Sequence, residues 1–460
     1  AGKSALLAAV LVAGFLVRGH VALRHPAPAG DGGAAYILLA DNLNRGLGFT
    51  TYLKWTLYDP STAHLRPEAN RQPLFPLLLS GVFRLTGPGM RPAQALALVV
   101  GVLFLLAFYR WAAGTVGTEA ALFSLAFLAL DPPFVWFSTQ PDSLLLYSTL
   151  VFIALAAVGR GEISAGKACL LGLVSGAAYL ARTQGLLLVF SMGVLTLARG
   201  GRRRFVKTVL LLAVFAAVSL PWFVRNVKAF GNPVHSQNGQ FVMNENHWSA
   251  WSVRDTPPGP GDMLRNQGAA ACALFLLRGA LRVMEPFTVG TGHRGEVFGQ
   301  PTLAVFLLFA LWSAGDPAAR KRMLPSLVVA LPIIAALTVH QHSGRYLAPV
   351  YAMTAAFGAA GILRLGAERK GLTAAAVVVI AMTLARPLAA LAVSENRGRG
   401  DEALLGAVWI RDHVPEGTWV VTYPNVELYH WVYRRPTLTW PNDYEALLWP
   451  YLERHGAEYL

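Results

Sequence analysis

The sequence predicts an all-α polytopic membrane protein with a small α/β domain at its C-terminal end, outside the membrane. Three observations lead there. Only 14% of the 460 residues are charged and 54% are hydrophobic, whereas soluble domains carry about 25% charge. Apolar stretches of bilayer-spanning length recur along most of the chain, and the mean hydropathy is +0.44. From Asp401 onward the hydrophobic runs stop, and short helical and strand patterns alternate.

The first element is read as a retained helix over 4–24, since no small-x-small cleavage site leads into a soluble domain. The opening "AGKS" lacks the upstream glycine and strand of a phosphate-binding loop and carries no weight. Further spans are expected near 91–112, 119–138, 142–158, 167–181, 185–198, 205–223, 301–314, 323–340, 345–363 and 371–393, about eleven in all. Positive charge sets the sides. "ARGGRRRFVK" (198–207), "DPAARKRM" (316–323) and "RLGAERKG" (364–371) are short basic loops and are expected in the cytoplasm. That parity requires the apolar runs 72–86 and 269–287, which carry Arg84, Arg278 and Arg282, to lie along the membrane surface.

The N-terminus is then inside and the C-terminus outside. Two long loops, 25–90 and 224–300, face outward from a membrane domain over 1–393, and 394–460 forms the small outer domain. In that tail "DEALLGAVWIRDHV" and "YEALLWPYLERHG" read as helices and "TWVVTY" as a strand. "AEYL" looks like an incoming strand, so the natural chain is expected to continue. The formal net charge of +14 resides largely in the basic loops and implies no nucleic acid. Cys169 and Cys272 lie in separate apolar segments and read as small hydrophobes.

Six outward segments carry candidate chemistry. "GDGGAAYILLADNLNRGLGF" (30–49) opens with Asp31, which suits either a base that takes a proton from a hydroxyl or a cap for the helix that follows, with Tyr36 on that helix. Arg71, before Pro73 and Pro76, suits a lipid-linked phosphate or a snorkelling role. Asp142, in "FSTQPDSLLLYSTL", is a second carboxylate or another cap. Arg182 lies in a tight outer turn against the usual charge bias, so an acid or a bound anion must compensate it.

Arg225 follows the interfacial Pro221–Trp222. In "HQHSGRYLAPVYA", His340 and His342 stand at i, i+2 and point apart on a helix, so an anion site using Arg345 and Tyr346 is favoured over a metal. "GQFVMNENHWSAWSV" (239–253), with Asn246, suits sugar or acceptor contacts and equally a folded surface loop. Topology places Arg71, Arg182, Arg225 and Arg345 at one interface with Asp31 and Asp142, a pattern that fits a phosphate on a lipid tail.

In order, "GDGGAAYILLADNLNRGLGF", "NRQPLFPLLLSGVFRLTG", "PWFVRNVKAFGNPV" and "GRYLAPV" resemble the bacterial branch of the protein O-mannosyltransferase-like family, within the GT-C superfamily of membrane glycosyltransferases. The resemblance covers essentially the whole chain. It implies a GT-C-type fold in the bacterial inner membrane, a polyprenyl-phosphate sugar as donor, and an acceptor hydroxyl on a glycan, lipid or protein at the outer face. It implies Asp31 as catalytic base, Asp142 as the acid of the second outer loop, and Arg71, Arg225 and Arg345 as phosphate ligands. Tyr36, His342 and Asn246 are the candidate substrate contacts and Arg182 and Tyr346 join the phosphate set.

This chain reads "RQP" where relatives read "RPP" or "KPP". Gly32 and Gly33 follow Asp31 where many relatives place a glutamate. A divalent metal, which needs several oxygen ligands, is therefore not favoured, and no cofactor is certain. The expected reaction is direct displacement with inversion. The alternatives are a transporter or flippase of the lipid-linked sugar and a catalytically degenerate sugar-lipid-binding member. Nearly charge-free spans speak against transport, which places ionisable groups in mid-membrane.

Overall fold

The computed structural model describes residues 2–26, 33–54, 63–236, 260–288, 301–339, 344–393, 400–422, 434–439 and 457–459. The expected spans are occupied by α1 (Gly2–Arg24), α4 (Met90–Val116), α5 (Thr118–Leu130) with α6 (Pro132–Phe137), α7 (Leu144–Val158), α8 (Ala165–Ala181) and α9 (Gly185–Arg199). They continue with α10 (Arg204–Phe230), α12 (Pro301–Ser313), α13 (Pro317–Thr338), α14 (Ala348–Glu368) and α15 (Lys370–Val393). Six helices among the described residues are long and apolar enough to cross a membrane, and the rest of the bundle is built from shorter apolar ones. The chain is a multi-pass, all-α membrane protein. Its outward-facing side chains are themselves apolar: Leu103 and Leu106 on α4 and Val209, Leu212 and Leu220 on α10 are exposed, as a lipid-facing surface requires.

The expected span 119–138 is broken at Asp131. Two prolines follow it, and Pro132 has no N–H to continue the ladder. The C-terminal carbonyls of α5 would then be orphans inside the bundle. Arg18 of α1, wholly buried, satisfies them: it donates to the carbonyls of Leu128 and Ala129, to Gly14 O, and from Nε to Ser138 Oγ at 3.0 Å. Close packing elsewhere rests on small residues. A Cβ on Gly172 or Gly176 of α8 would strike Leu211 O, Val214 or Val218 of α10.

Contacts sort the loops to two ends. At one end Lys3 meets Glu119, Lys207 meets Glu162 and Arg364 meets Asp316. The three basic loops gather there. At the other end Gln94 and Arg91 hold the C-terminal carbonyls of α1, and Gln72 meets Thr183. At that end α2 (Gly33–Asn44) and α3 (Leu74–Thr86) pack on one another through Tyr36, Ile37, Ala40, Phe75, Leu79 and Phe83. α11 (Pro260–Thr288) is kinked at Gly268, whose φ is 82°, and packs on α13 and α12. It is not among the helices that qualify as spans.

The tail supplies α16 (Gly400–His413), β4 (Trp419–Thr422), β5 (Thr437–Thr439) and β6 (Ala457–Tyr459). Its sheet also takes a strand from the loop between α2 and α3. β2 (Leu53–Lys54) pairs parallel with β5, giving the order β2-β5-β4-β6. A separate antiparallel pair, β1 (Thr50–Thr51) with β3 (Arg66–Pro67), closes that loop.

Candidate active site

The loop between α2 and α3 delivers Arg71 by a local device. Glu68, buried just after β3, turns Oε1 back to accept the N–H groups of Asn70 at 2.6 Å and Arg71 at 3.1 Å. Gln72 then donates to Thr183 Oγ1 at 3.0 Å, fixing the loop to the α8–α9 turn before Pro73 leads into α3. The Arg71 guanidinium comes to rest 5.7 Å from the ring centre of Tyr36.

Tyr36 projects from α2 into the same space. Its ring meets Phe75 edge-on at 5.1 Å, and its hydroxyl lies 2.8 Å from Ser143 Oγ. Burial, and next the charge of Asp142, push the phenol above its usual range, so it stays protonated and can donate. Ser143 is wholly buried and also accepts from Arg182 Nη1 at 3.2 Å.

Asp142 has two engagements. Its Oδ1 accepts the N–H of Leu144, the first residue of α7, at 2.6 Å, and accepts Arg182 Nη1 at 3.1 Å. The contact with the first turn of α7 and the pairing with Arg182 thus share one oxygen. The Arg182–Asp142 pair is shielded, with side chains 14% and 11% exposed. The guanidinium of Arg182 also lies 5.0 Å from the ring centre of Tyr346, and that of Arg345 lies 5.4 Å from the same ring. Gly344–Leu347 is a 3-10 turn leading into α14.

The structure therefore brings Arg71, Arg182, Arg345, Tyr36, Tyr346 and Asp142 into one connected cluster. Arg225 is placed differently. It is caged by Trp222, Phe230 and Phe49, at 4.6, 5.1 and 5.6 Å from their ring centres. It donates to Phe49 O at 3.1 Å and to Asn226 Oδ1, and Glu68 is its electrostatic partner. Its described contacts brace the loop that carries Arg71 rather than join the tyrosine cluster. Asp31, Asn246, His340 and His342 lie outside the described residues. Glu68, Gln72 and Thr183 were not singled out in the sequence, and Ser143 entered only as the neighbour of Asp142. Among the described residues no group of three or more His, Cys, Asp or Glu side chains converges as a metal site.

The bundle gathers its arginine and tyrosine cluster at one end, and this fold is shared with solved membrane enzymes. Residues 67–226, the stretch that carries Arg71, Asp142, Arg182 and Arg225, match the family described as dolichyl-phosphate-mannose-protein mannosyltransferase. Among solved structures, the oligosaccharyltransferase of Archaeoglobus fulgidus superposes with a TM-score of 0.63 at 14% identity, over 94% of this chain and 62% of that one. The same archaeal enzyme, AglB, in complex with an inhibitory peptide and a dolichol-phosphate superposes at 0.60 and 16% identity, over 93% and 64%. ArnT from Cupriavidus metallidurans bound to undecaprenyl phosphate gives 0.60 and 15%, over 99% of this chain and 89% of that one. The chain thus spans 62% of the length of the archaeal enzyme and most of that of ArnT. No curated protein matches it in sequence.

Proposed function

We propose that the protein is an inverting glycosyltransferase that moves a sugar from a polyprenyl-phosphate donor to an acceptor hydroxyl at the outer face of the membrane. The observation that carries this reading is the meeting of Arg71, Arg182 and Arg345 on the faces of Tyr36 and Tyr346, beside Asp142. Guanidinium groups in a shielded site suit phosphate oxygens, and aromatic faces hold their planes. The family match over 67–226 and the likeness to enzymes solved with dolichol-phosphate and undecaprenyl phosphate support the same class of donor.

In this reading the acceptor oxygen attacks the anomeric carbon. The bond from that carbon to the donor phosphate oxygen breaks, and the acceptor proton passes to Asp31, two residues before α2 begins. The polyprenyl phosphate leaves with its electron pair, and the guanidinium cluster stabilises the growing charge. Asp142 holds Arg182 in place, and the protonated Tyr36 hydroxyl offers a hydrogen bond near the reacting atoms. The end bearing this cluster faces outward, opposite the basic loops at 198–207, 316–323 and 364–371.

The test is in vitro transfer from an undecaprenyl-phosphate sugar, with Asp31→Asn beside wild type. A fall in turnover of about 10²-fold or more is expected from loss of the base. Equal turnover in both proteins would remove Asp31 from its role.

A further inference from the structure

α2 has two working faces. Tyr36 and Asp41 are five residues apart, about 140° around a helix of 3.6 residues per turn. Tyr36 faces the guanidinium cluster. On the other side Ile37, Leu38, Asp41 and Arg45 line a cavity of about 950 Å³, whose opposite wall is Val408, Arg411, Arg434 and Arg435 of the tail. Among the described residues side-chain packing does not fill this space, and a charge pair reaches across it. Arg434 Nη2 lies 2.5 Å from Asp41 Oδ2, with the Asp41 side chain 10% exposed.

Arg434 bears a cost in making this contact. Its φ is 48°, the left-handed region, and it is the one non-glycine residue among those described with a positive φ. It comes just before β5, which is tied to the loop between α2 and α3 by pairing with β2 and by Thr437 N–H to Tyr52 O at 3.1 Å. A second joint lies nearby, where the Arg66 guanidinium and the His64 ring both meet Trp419 of β4. The tail is therefore seated on the loop next to α2 before Arg434 reaches across.

We infer that Arg434 is a positioning residue: through its ion pair with Asp41 it holds α2, and with it Tyr36, at the guanidinium cluster. The inference rests on the glycosyltransferase reading only for its effect on turnover. The described part of the tail then acts as a brace on the site.

Hydrogen–deuterium exchange over residues 33–44 tests the brace in the full chain, comparing wild type with Asp41→Asn, Arg434→Ala and Arg434→Lys. Asp41→Asn and Arg434→Ala are expected to raise exchange in that segment about tenfold, and Arg434→Lys, which keeps the charge, to stay near wild type. The same two variants lower kcat about tenfold, because misplacement of a group beside the reacting atoms costs rate. Lys again restores kcat. Unchanged exchange over 33–44 in Asp41→Asn overturns the inference, as does unchanged kcat. If Arg434→Ala also exposes the amides of Trp419–Thr422, the tail itself has loosened, and Asp41→Asn, outside the tail, decides. If wild type transfers no sugar, the proposed function fails and the exchange measurement still judges the brace.

Discussion

Arg18 and Arg182 are both shielded arginines beside an aspartate, yet the fold uses them in opposite ways. Arg18 is wholly buried, and its donors go to backbone carbonyls at the break after α5 and to Ser138. Asp131 balances its charge at a distance. Arg182 spends one nitrogen on Asp142 and Ser143, and its plane lies over a tyrosine face that Arg345 also shares. The first arrangement repairs a broken helix. The second gathers two cations on one tyrosine face. Burial and an acidic neighbour do not separate the two roles; the destination of the guanidinium donors does.

Substitutions at the two positions should therefore part company. The largest effect on the fold is expected from Arg18→Ala, which strands the buried carbonyls of Leu128 and Ala129. About 3–5 kcal/mol of stability should be lost, at about 1–3 kcal/mol for each buried acceptor left unpaired, seen as a sharp drop in the thermal midpoint in detergent. Arg182→Ala should leave that midpoint within a few degrees and lower sugar transfer by about 10²-fold, as removal of one well-placed charge-stabilising donor does. A loss of stability in Arg182→Ala as large as that in Arg18→Ala would erase the distinction.

Arg225 sharpens the comparison, because its described contacts make it a brace. Arg225→Ala should weaken undecaprenyl-phosphate binding less than Arg182→Ala does, and should loosen the Phe49–Glu68 loop, losing about 1–2 kcal/mol of cation–π and hydrogen-bond energy. Limited proteolysis within 49–71 reads that loosening. The smallest effect is expected from Tyr36→Phe, which keeps the ring under Arg71 and removes one hydrogen bond to Ser143, worth about 1 kcal/mol. A loss of transfer larger than in Arg182→Ala would promote the Tyr36 hydroxyl above the guanidinium cluster.

The spans were legible because a bilayer imposes a length and a polarity that leave their mark on sequence. The helices over 74–86 and 260–288 fall where two interfacial runs were read. The break at Asp131 was written in its prolines, but its partner Arg18 was not, since an arginine 111 residues from Ala129 carries no local sign of which carbonyls it will meet. The two-residue strand Leu53–Lys54 has no period to detect, so the sheet shared between the tail and the loop between α2 and α3 could come only from tertiary pairing. At the site, Arg71, Asp142, Arg182, Arg345 and Tyr346 could be placed at one end by topology alone. Arg225 obeyed the same topology and still went to another set of contacts, because a position along the membrane normal does not fix a direction within the plane. Glu68 was hidden for a different reason: its work is done on the backbone of the next residues, and an acid beside an arginine looks the same whether it pairs with the side chain or turns the chain.

The central claim is that guanidiniums from separate segments form one phosphate clamp. Undecaprenyl-phosphate binding to the purified full chain, by native mass spectrometry, tests it most directly in wild type, Arg182→Ala and Arg345→Ala. Each variant is expected to bind at least about tenfold more weakly, the equivalent of one charge-assisted contact. Equal affinity in all three, with the fold intact, would contradict the account.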